Sequence, residues 1–226
     1  MLAAAQRRLM EIAAGLPRRP RTLFQSHLAE GEVGAHALLQ REGYAAARRS
    51  FVMVRPNLED LPEAALPAGL VVRTARREEY RKVFEADTEA FQDHWGFIPP
   101  AEEDFERWLG EPTTDPDLWQ VAWDGDEVAG MVLNFVNAEE NNRYNRRRGY
   151  TEDICVRRPW RRRGLARALI VRSLTMLRGR GMAEAALGVD SENLTGALGL
   201  YEGLGYRPVQ RWTLYRKEMQ PQRSDG

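Results

Sequence analysis

Apolar and polar positions recur along this chain with two periods, and the switches between helical and strand spacing mark its elements. Leu2, Leu9, Ile12 and Leu16 predict a helix over 2–16, ended by Gly15 and Pro17. A strand over 22–28, a short helix from Gly34 to Glu42 stopped by Gly43, and a strand over 49–55 (RSFVMVR) follow. The stretch Pro56 to Gly69, with Pro62 and Pro67, reads as a connector. Beyond it come a short strand, Leu70 to Arg73, and a helix, Arg76 to Phe91, on which Val83, Phe84, Asp87 and Phe91 stack. An aromatic loop (FQDHWGFIPP, 91–100) leads to a helix from Glu102 to Leu109. Strands Leu118 to Trp123 and Glu127 to Val136 join through the hairpin turn Asp124-Gly125-Asp126. After a polar loop, Asn137 to Gly149, the segment Tyr150 to Val156 is again strand-like. The helix from Gly164 to Arg180 carries Ala166, Leu169, Ile170, Ser173, Leu174 and Leu177 on one face. A strand (Met182 to Val189), a helix (Asn193 to Leu204, with Tyr201 inward) and a last strand over 206–217 complete the pattern. The tail 220–226 is polar and expected to be flexible.

The chain echoes itself. Ala35–Tyr44 (AHALLQREGY) aligns with Ala197–Tyr206 (ALGLYEGLGY), each preceded by a long helix and followed by a strand. Residues 1–60 therefore read as the second half of a domain whose complete copy spans 70–219, with 61–69 as linker. The first copy has no counterpart of the Arg-Gly loop at 161–164, and Leu39 stands where Tyr201 stands.

Composition narrows the class. With 33 basic and 33 acidic side chains in 226 residues the formal net charge is zero, which disfavours nucleic acid or a membrane surface as partner. Lys82 and Lys217 are the only lysines, so arginine is the default base and scattered Arg pairs carry little information. Cys155 is the sole cysteine, which excludes an intramolecular disulfide and a thiolate metal cluster. His27, His36 and His94 are too scattered for a metal site, so no metal is expected. No apolar run approaches a membrane span, and a cytoplasmic setting is the default expectation.

The segment Thr151–Ala166 (TEDICVRRPWRRRGLA) carries the chemistry. A strand ends at Val156, an Arg-rich loop comes next, and Gly164 opens a helix. Arg161, Arg162, Arg163, Gly164, Leu165 and Ala166 fit the pattern Gln/Arg-x-x-Gly-x-Gly/Ala. Free N–H groups at a helix start, with the positive end of the helix dipole, bind phosphate, and arginines at 157, 158 and 161–163 suit several phosphates. A solvated basic loop capping a helix is the competing reading of the hexapeptide alone.

The chain over about residues 70–217, most specifically over 150–206, resembles the GNAT superfamily of N-acetyltransferases. The family's order is strand, pyrophosphate loop, long helix, strand, Asn-containing turn, short helix with Tyr, then Gly-aromatic. Here it reads TEDICV, RRRGLA, 167–180, AALGVD, SEN and GALGLYEGLGY. The resemblance implies an α+β fold, a mixed and mostly antiparallel sheet flanked by helices. It also implies acetyl-coenzyme A as cosubstrate, bound through the 161–166 loop and the backbone of Ile154, Cys155 and Val156, with a backbone N–H near Val156 polarising the thioester carbonyl. By position Tyr201 reads first as a core aromatic, and the resemblance reverses this, matching it to the family's general acid toward the coenzyme A sulfur. Asn193 matches a coenzyme A contact and is also a helix N-cap by type. Glu152 matches a base position used by some members. Others place the base two residues earlier, where Tyr150 stands. Glu152 as a solvated strand-edge carboxylate, Asp153 as base, or a bridging water all stay open.

Strict strand alternation puts Tyr150, Glu152, Ile154 and Val156 on one face, and Thr151, Asp153 and Cys155 on the other. Cys155 then reads as a packed small hydrophobe. The half-copy before a complete one resembles tandem GNAT proteins of the mycothiol synthase type. The expected activity is acetyl transfer to a primary amine of a small molecule. A noncatalytic acyl-coenzyme A sensor and a protein N-acetyltransferase are the alternatives, and homodimerisation would cover open sheet edges. Asp93, His94, Trp95 and Phe97 suggest either an acceptor pocket for a cationic amine or a packed lid, and Arg143–Arg148 either an anion site or a solvated loop.

Overall fold

Strand β5 (Glu127–Phe135) is buried from Val128 to Asn134 without interruption, because helices cover both of its faces. In a computed structural model, which describes residues 1–16, 21–192 and 196–219, this strand lies inside the larger of two compact units. The elements in chain order are α1 (Leu2–Ala14), β1 (Leu23–Ala29), α2 (Val33–Arg41), β2 (Ala45–Arg55), β3 (Val71–Arg73), α3 (Tyr80–Phe91), α4 (Glu102–Leu109) and β4 (Gln120–Asp124). After β5 come α5 (Ala138–Arg143), β6 (Arg148–Val156), α6 (Leu165–Gly179), β7 (Glu184–Asp190), α7 (Ala197–Gly203) and β8 (Arg207–Glu218). One unit holds Met1–Val52, Asp190–Glu192 and the chain from Gln210. The other holds Met53–Val189 with the segment ending at Val209.

In the larger unit the strand order is β7-β6-β5-β4-β3, antiparallel except for the parallel pair β6–β7. On one face α3 joins Val83, Ala86 and Ala90 to Met131, Leu133 and Cys155. Helix α4 adds an aromatic layer there, with Phe84 5.4 Å from Phe105 and Trp108 5.0 Å from Trp119. On the other face α6 buries Leu169, Ile170, Leu174 and Leu177. Its Ser173 accepts a 3.0 Å hydrogen bond from the Asn134 side chain. Gly149 lets α6 approach β6, since a Cβ there would lie 2.5 Å from Leu177 Cδ2. The observed sheet and helices are those of the expected α+β fold. The polar loop before β6 differs, because Asn137 accepts from Glu140 N at 2.9 Å and caps the short helix α5.

In the smaller unit β1 pairs antiparallel with β8, and Phe24, Leu39, Tyr44 and Tyr215 make the core. The internal echo has a geometric counterpart. After α2, Gly43 is left-handed (φ 79°) and Tyr44 N donates to Leu39 O at 2.9 Å. After α7, Gly205 is left-handed (φ 85°) and Tyr206 N donates to Tyr201 O at 3.0 Å. Both helices thus close with a left-handed glycine, and the residue one turn back, Leu39 or Tyr201, is buried in each.

Candidate active site

Strands β6 and β7 pair only at their beginnings, from Arg148↔Glu184 to Tyr150↔Ala186. Beyond Tyr150 they separate into a wedge. Glu152 stands at its apex, and its Oε1 accepts a 2.9 Å hydrogen bond from Gly188 N. A side chain has replaced the next rung of the ladder.

The alternation expected along β6 fails at Asp153. Met131 pairs with Cys155 and Leu133 with Glu152, so three steps on β6 match two on β5. Asp153 is the bulged residue, left-handed at φ 45°. Directly paired residues share a face, and Met131 and Leu133 belong to one core cluster. Glu152 and Cys155 therefore lie on the same face, toward α3, which corrects the strict two-face pattern. Thr151, opposite Asn134, faces α6 and bonds the Tyr206 hydroxyl at 2.8 Å.

Burial, with some help from Asp153, pushes the Glu152 carboxyl up to about 7, against the opposing Gly188 hydrogen bond. Tyr201 on α7 is buried and stacks edge-on at 6.2 Å from Tyr206. Burial, then the negative charge of Glu152, pushes its phenol up to about 12. One carboxylate poised near neutrality and one phenol that keeps its proton thus share the wedge. Such a pair can accept a proton at one point and donate one at another.

The Arg-rich loop divides into two groups. Arg157 pairs with Glu89 at 2.7 Å and donates to Val128 O at 3.0 Å. Arg158 pairs with Asp93 at 2.6 Å. Arg161 donates to Val156 O at 2.9 Å and to Ala90 O at 3.4 Å, and approaches Asp93 at 3.7 Å. These three arginines hold the loop in place. Arg162 and Arg163 are exposed, so the expectation that five arginines serve a ligand reduces to two. Arg162 and Gly164 are left-handed (φ 60° and 83°), a turn that ends with the free N–H groups of Leu165, Ala166 and Arg167 at the start of α6. Trp160 anchors the loop from below, its Nε1 donating to Asp124 at 2.8 Å.

Ile154 and Val156 are half-buried and Cys155 is buried, where β6 has left β7. Gly130 admits this close approach of β5, because a Cβ there would lie 2.7 Å from Cys155 O. Asn193 lies outside the described residues. Tyr150, two residues before Glu152, donates to Glu140 at 2.6 Å and stacks on Phe135 at 4.6 Å. Burial, then Glu140, holds its phenol protonated, which leaves it a donor rather than a base.

One group escaped notice in the sequence. Asp87 on α3 faces Cys155 and Asp153, and its Oδ1 is buried with no partner. Its signal was a lone carboxylate in the stripe Val83-Phe84-Asp87-Phe91.

Known proteins share this architecture. The acetyltransferase (GNAT) family model matches residues 78–206. A mycothiol acetyltransferase of Streptomyces bingchenggensis is 32% identical over 193 residues, covering 83% of this chain and 60% of that protein. One from Thermobispora bispora is 34% identical over 196 residues, covering 84% and 64%. The chain thus spans under two thirds of the length of these relatives. The crystal structure of a GCN5-related N-acetyltransferase from Sphaerobacter thermophilus superposes with a TM-score of 0.80 at 30% identity, over 97% of this chain and 67% of that one. A tandem GNAT protein from the clavulanic acid biosynthesis pathway shares the fold, with a TM-score of 0.70 at 15% identity. With the wedge, the bulge and the Arg-Gly turn all inside the matched region, the chain belongs to the GNAT family of acetyltransferases.

Proposed function

We propose that this protein transfers an acetyl group from acetyl-coenzyme A to a primary amine of a small molecule, by direct attack with both substrates bound. The observation that carries this reading is the pairing of Glu152, poised at about 7, with the protonated Tyr201 in one wedge. The name shared by the relatives, mycothiol acetyltransferase, supports a small-molecule acceptor.

The residues suit the cosubstrate. The N–H groups opening α6, with Arg162 and Arg163, form a cradle for a pyrophosphate. The unpaired edge of β6 at Ile154–Val156 offers backbone groups to an extended amide chain. Acetyl-coenzyme A supplies an acetyl group activated as a thioester. Glu152 takes a proton from the incoming ammonium and passes it to solvent. The freed amine lone pair forms the N–C bond, and the nitrogen then loses its second proton to Glu152. As the C–S bond breaks, Tyr201 gives its proton to the departing sulfur and recovers one from solvent. Residues 1–60 are then a partial copy of the same domain, a reading that the matched helix closures support.

The test pairs two measurements. Acetyl-coenzyme A should raise the melting temperature, and adding an amine acceptor should release thiol. No thermal shift at saturating ligand would remove both the transferase reading and a binding-only one. A shift without thiol release across a broad amine panel would leave an acyl-coenzyme A-binding module.

A further inference from the structure

Three carboxylates crowd the α3 side of the bulge: Glu152 and Asp153 on β6, and Asp87 on α3. Among the described residues none of the three pairs with a lysine or arginine. Glu152 has the Gly188 N–H. Asp87 has the Cys155 thiol on one side, and its other oxygen is sealed from solvent without a partner. Asp153 is different, being exposed although protein crowds around it. That combination puts a solvent-facing carboxylate close enough to the buried Asp87 for the two charges to meet. A buried, unpartnered carboxylate oxygen is costly unless something cationic arrives to meet it.

Burial is the first cause lifting both Asp87 and Asp153, and for Asp87 the charge of Asp153 adds to it. The same two charges, after burial, lift the Cys155 thiol, which stays protonated. The cluster therefore favours a positive charge brought beside it.

We propose that Asp87 and Asp153 form a subsite for a second ammonium group of the acceptor, so that the acceptor is a diamine with its reacting nitrogen at Glu152. This rests on the acetyltransferase reading and names its substrate class. Glu152 serves the nitrogen that loses its proton. Asp153 meets the nitrogen that keeps its own, with the charge of the sealed Asp87 beside it, and the aliphatic stem between the two nitrogens sets which chain length fits.

The experiment compares α,ω-diamines from propane-diamine to hexane-diamine with the alkyl monoamine of the same length. Two readouts are taken on the full chain: calorimetric binding in the presence of coenzyme A, and kcat/KM for thiol release from acetyl-coenzyme A. One diamine length should exceed its monoamine by about tenfold or more, as a charge-assisted contact in a sheltered site provides. Asp87→Asn should carry that ratio toward one. Asp153→Asn should do the same, and this second variant guards against misfolding, since the position is exposed and Asn tolerates a left-handed backbone. A ratio near one in the parent, or one that survives both substitutions, would overturn the subsite while thiol release from monoamines kept the transferase. Diamine binding that depends on Asp87 without any thiol release would support the subsite and sink the transferase.

Discussion

Glu152 Oε1 accepts a 2.9 Å hydrogen bond from Gly188 N at the point where β6 and β7 stop pairing. The bond fixes the carboxylate at the apex of the wedge, and burial pushes its proton affinity up to about 7. Proton affinity and stability are coupled at this residue.

If Glu152 is the base, kcat rises with pH through about 7 as the carboxyl ionises. Glu152→Gln should lower kcat by about 100-fold or more and erase that limb of the pH–rate profile. An unchanged profile would pass the role to a water or to another carboxylate.

The same group costs stability. Its folded-state proton affinity is raised above the ordinary carboxylate value of 4.5. The folded state therefore holds the proton more tightly, and its stability falls as pH rises toward about 7. Glu152→Gln should escape that loss. Above pH 7 it should exceed the parent by about 1–2 kcal/mol, less than the full shift implies because the carboxyl is partly solvated. Urea denaturation at pH 5 and pH 8 checks this, and a gain at pH 5 as large as at pH 8 would contradict it.

Tyr201→Phe removes one hydroxyl from a buried ring and leaves the packing on Tyr206. We expect kcat to fall about 10- to 100-fold with the KM for acetyl-coenzyme A little changed. Unimpaired turnover would refute the proton-donor role.

Arg162 and Arg163 should matter differently from Arg157. Replacing the first two by Ala should weaken acetyl-coenzyme A binding about tenfold, more so at low salt. Arg157→Ala should instead lower the melting temperature, because it ties Glu89 to Val128 O. Calorimetry and thermal unfolding on both variants distinguish the two effects.

Gly205 should tolerate no side chain. Its φ is 85°, and a Cβ would collide with the Arg55 guanidinium, which is buried and donates to Leu204 O and Asp60 O. Gly205→Ala should cost about 2–3 kcal/mol of stability, read by chemical denaturation.

Much of the fold was legible because its signals are local. The helix α4 over 102–109, the Asp124-Gly125-Asp126 hairpin and the buried stripe of α6 each come from spacing within one segment. The Arg-Gly turn was legible for the same reason. The bulge at Asp153 was not, since an extra residue shows only in the register with β5. Nor was the partition of the arginines, because the partners of Arg157 and Arg158 (Glu89 and Asp93) lie some 65 residues or more away. Asp87 stood in plain view within an apolar stripe, but only the neighbouring strand explains it.

The bulge has a consequence for how β6 can change. Strand side chains follow a two-letter reading frame, and Asp153 is an insertion that shifts it. Upstream, Thr151 and Glu152 are written in one frame. Downstream, Cys155 and Val156 are written in the other. Deleting Asp153 would restore a single frame, with Cys155 still opposite Met131 and Glu152 still opposite Leu133, and would remove only the bulge. The segment before the bulge and the segment after it can each be substituted residue by residue. Losing the one inserted residue would straighten the strand between them while inside and outside stay as they are.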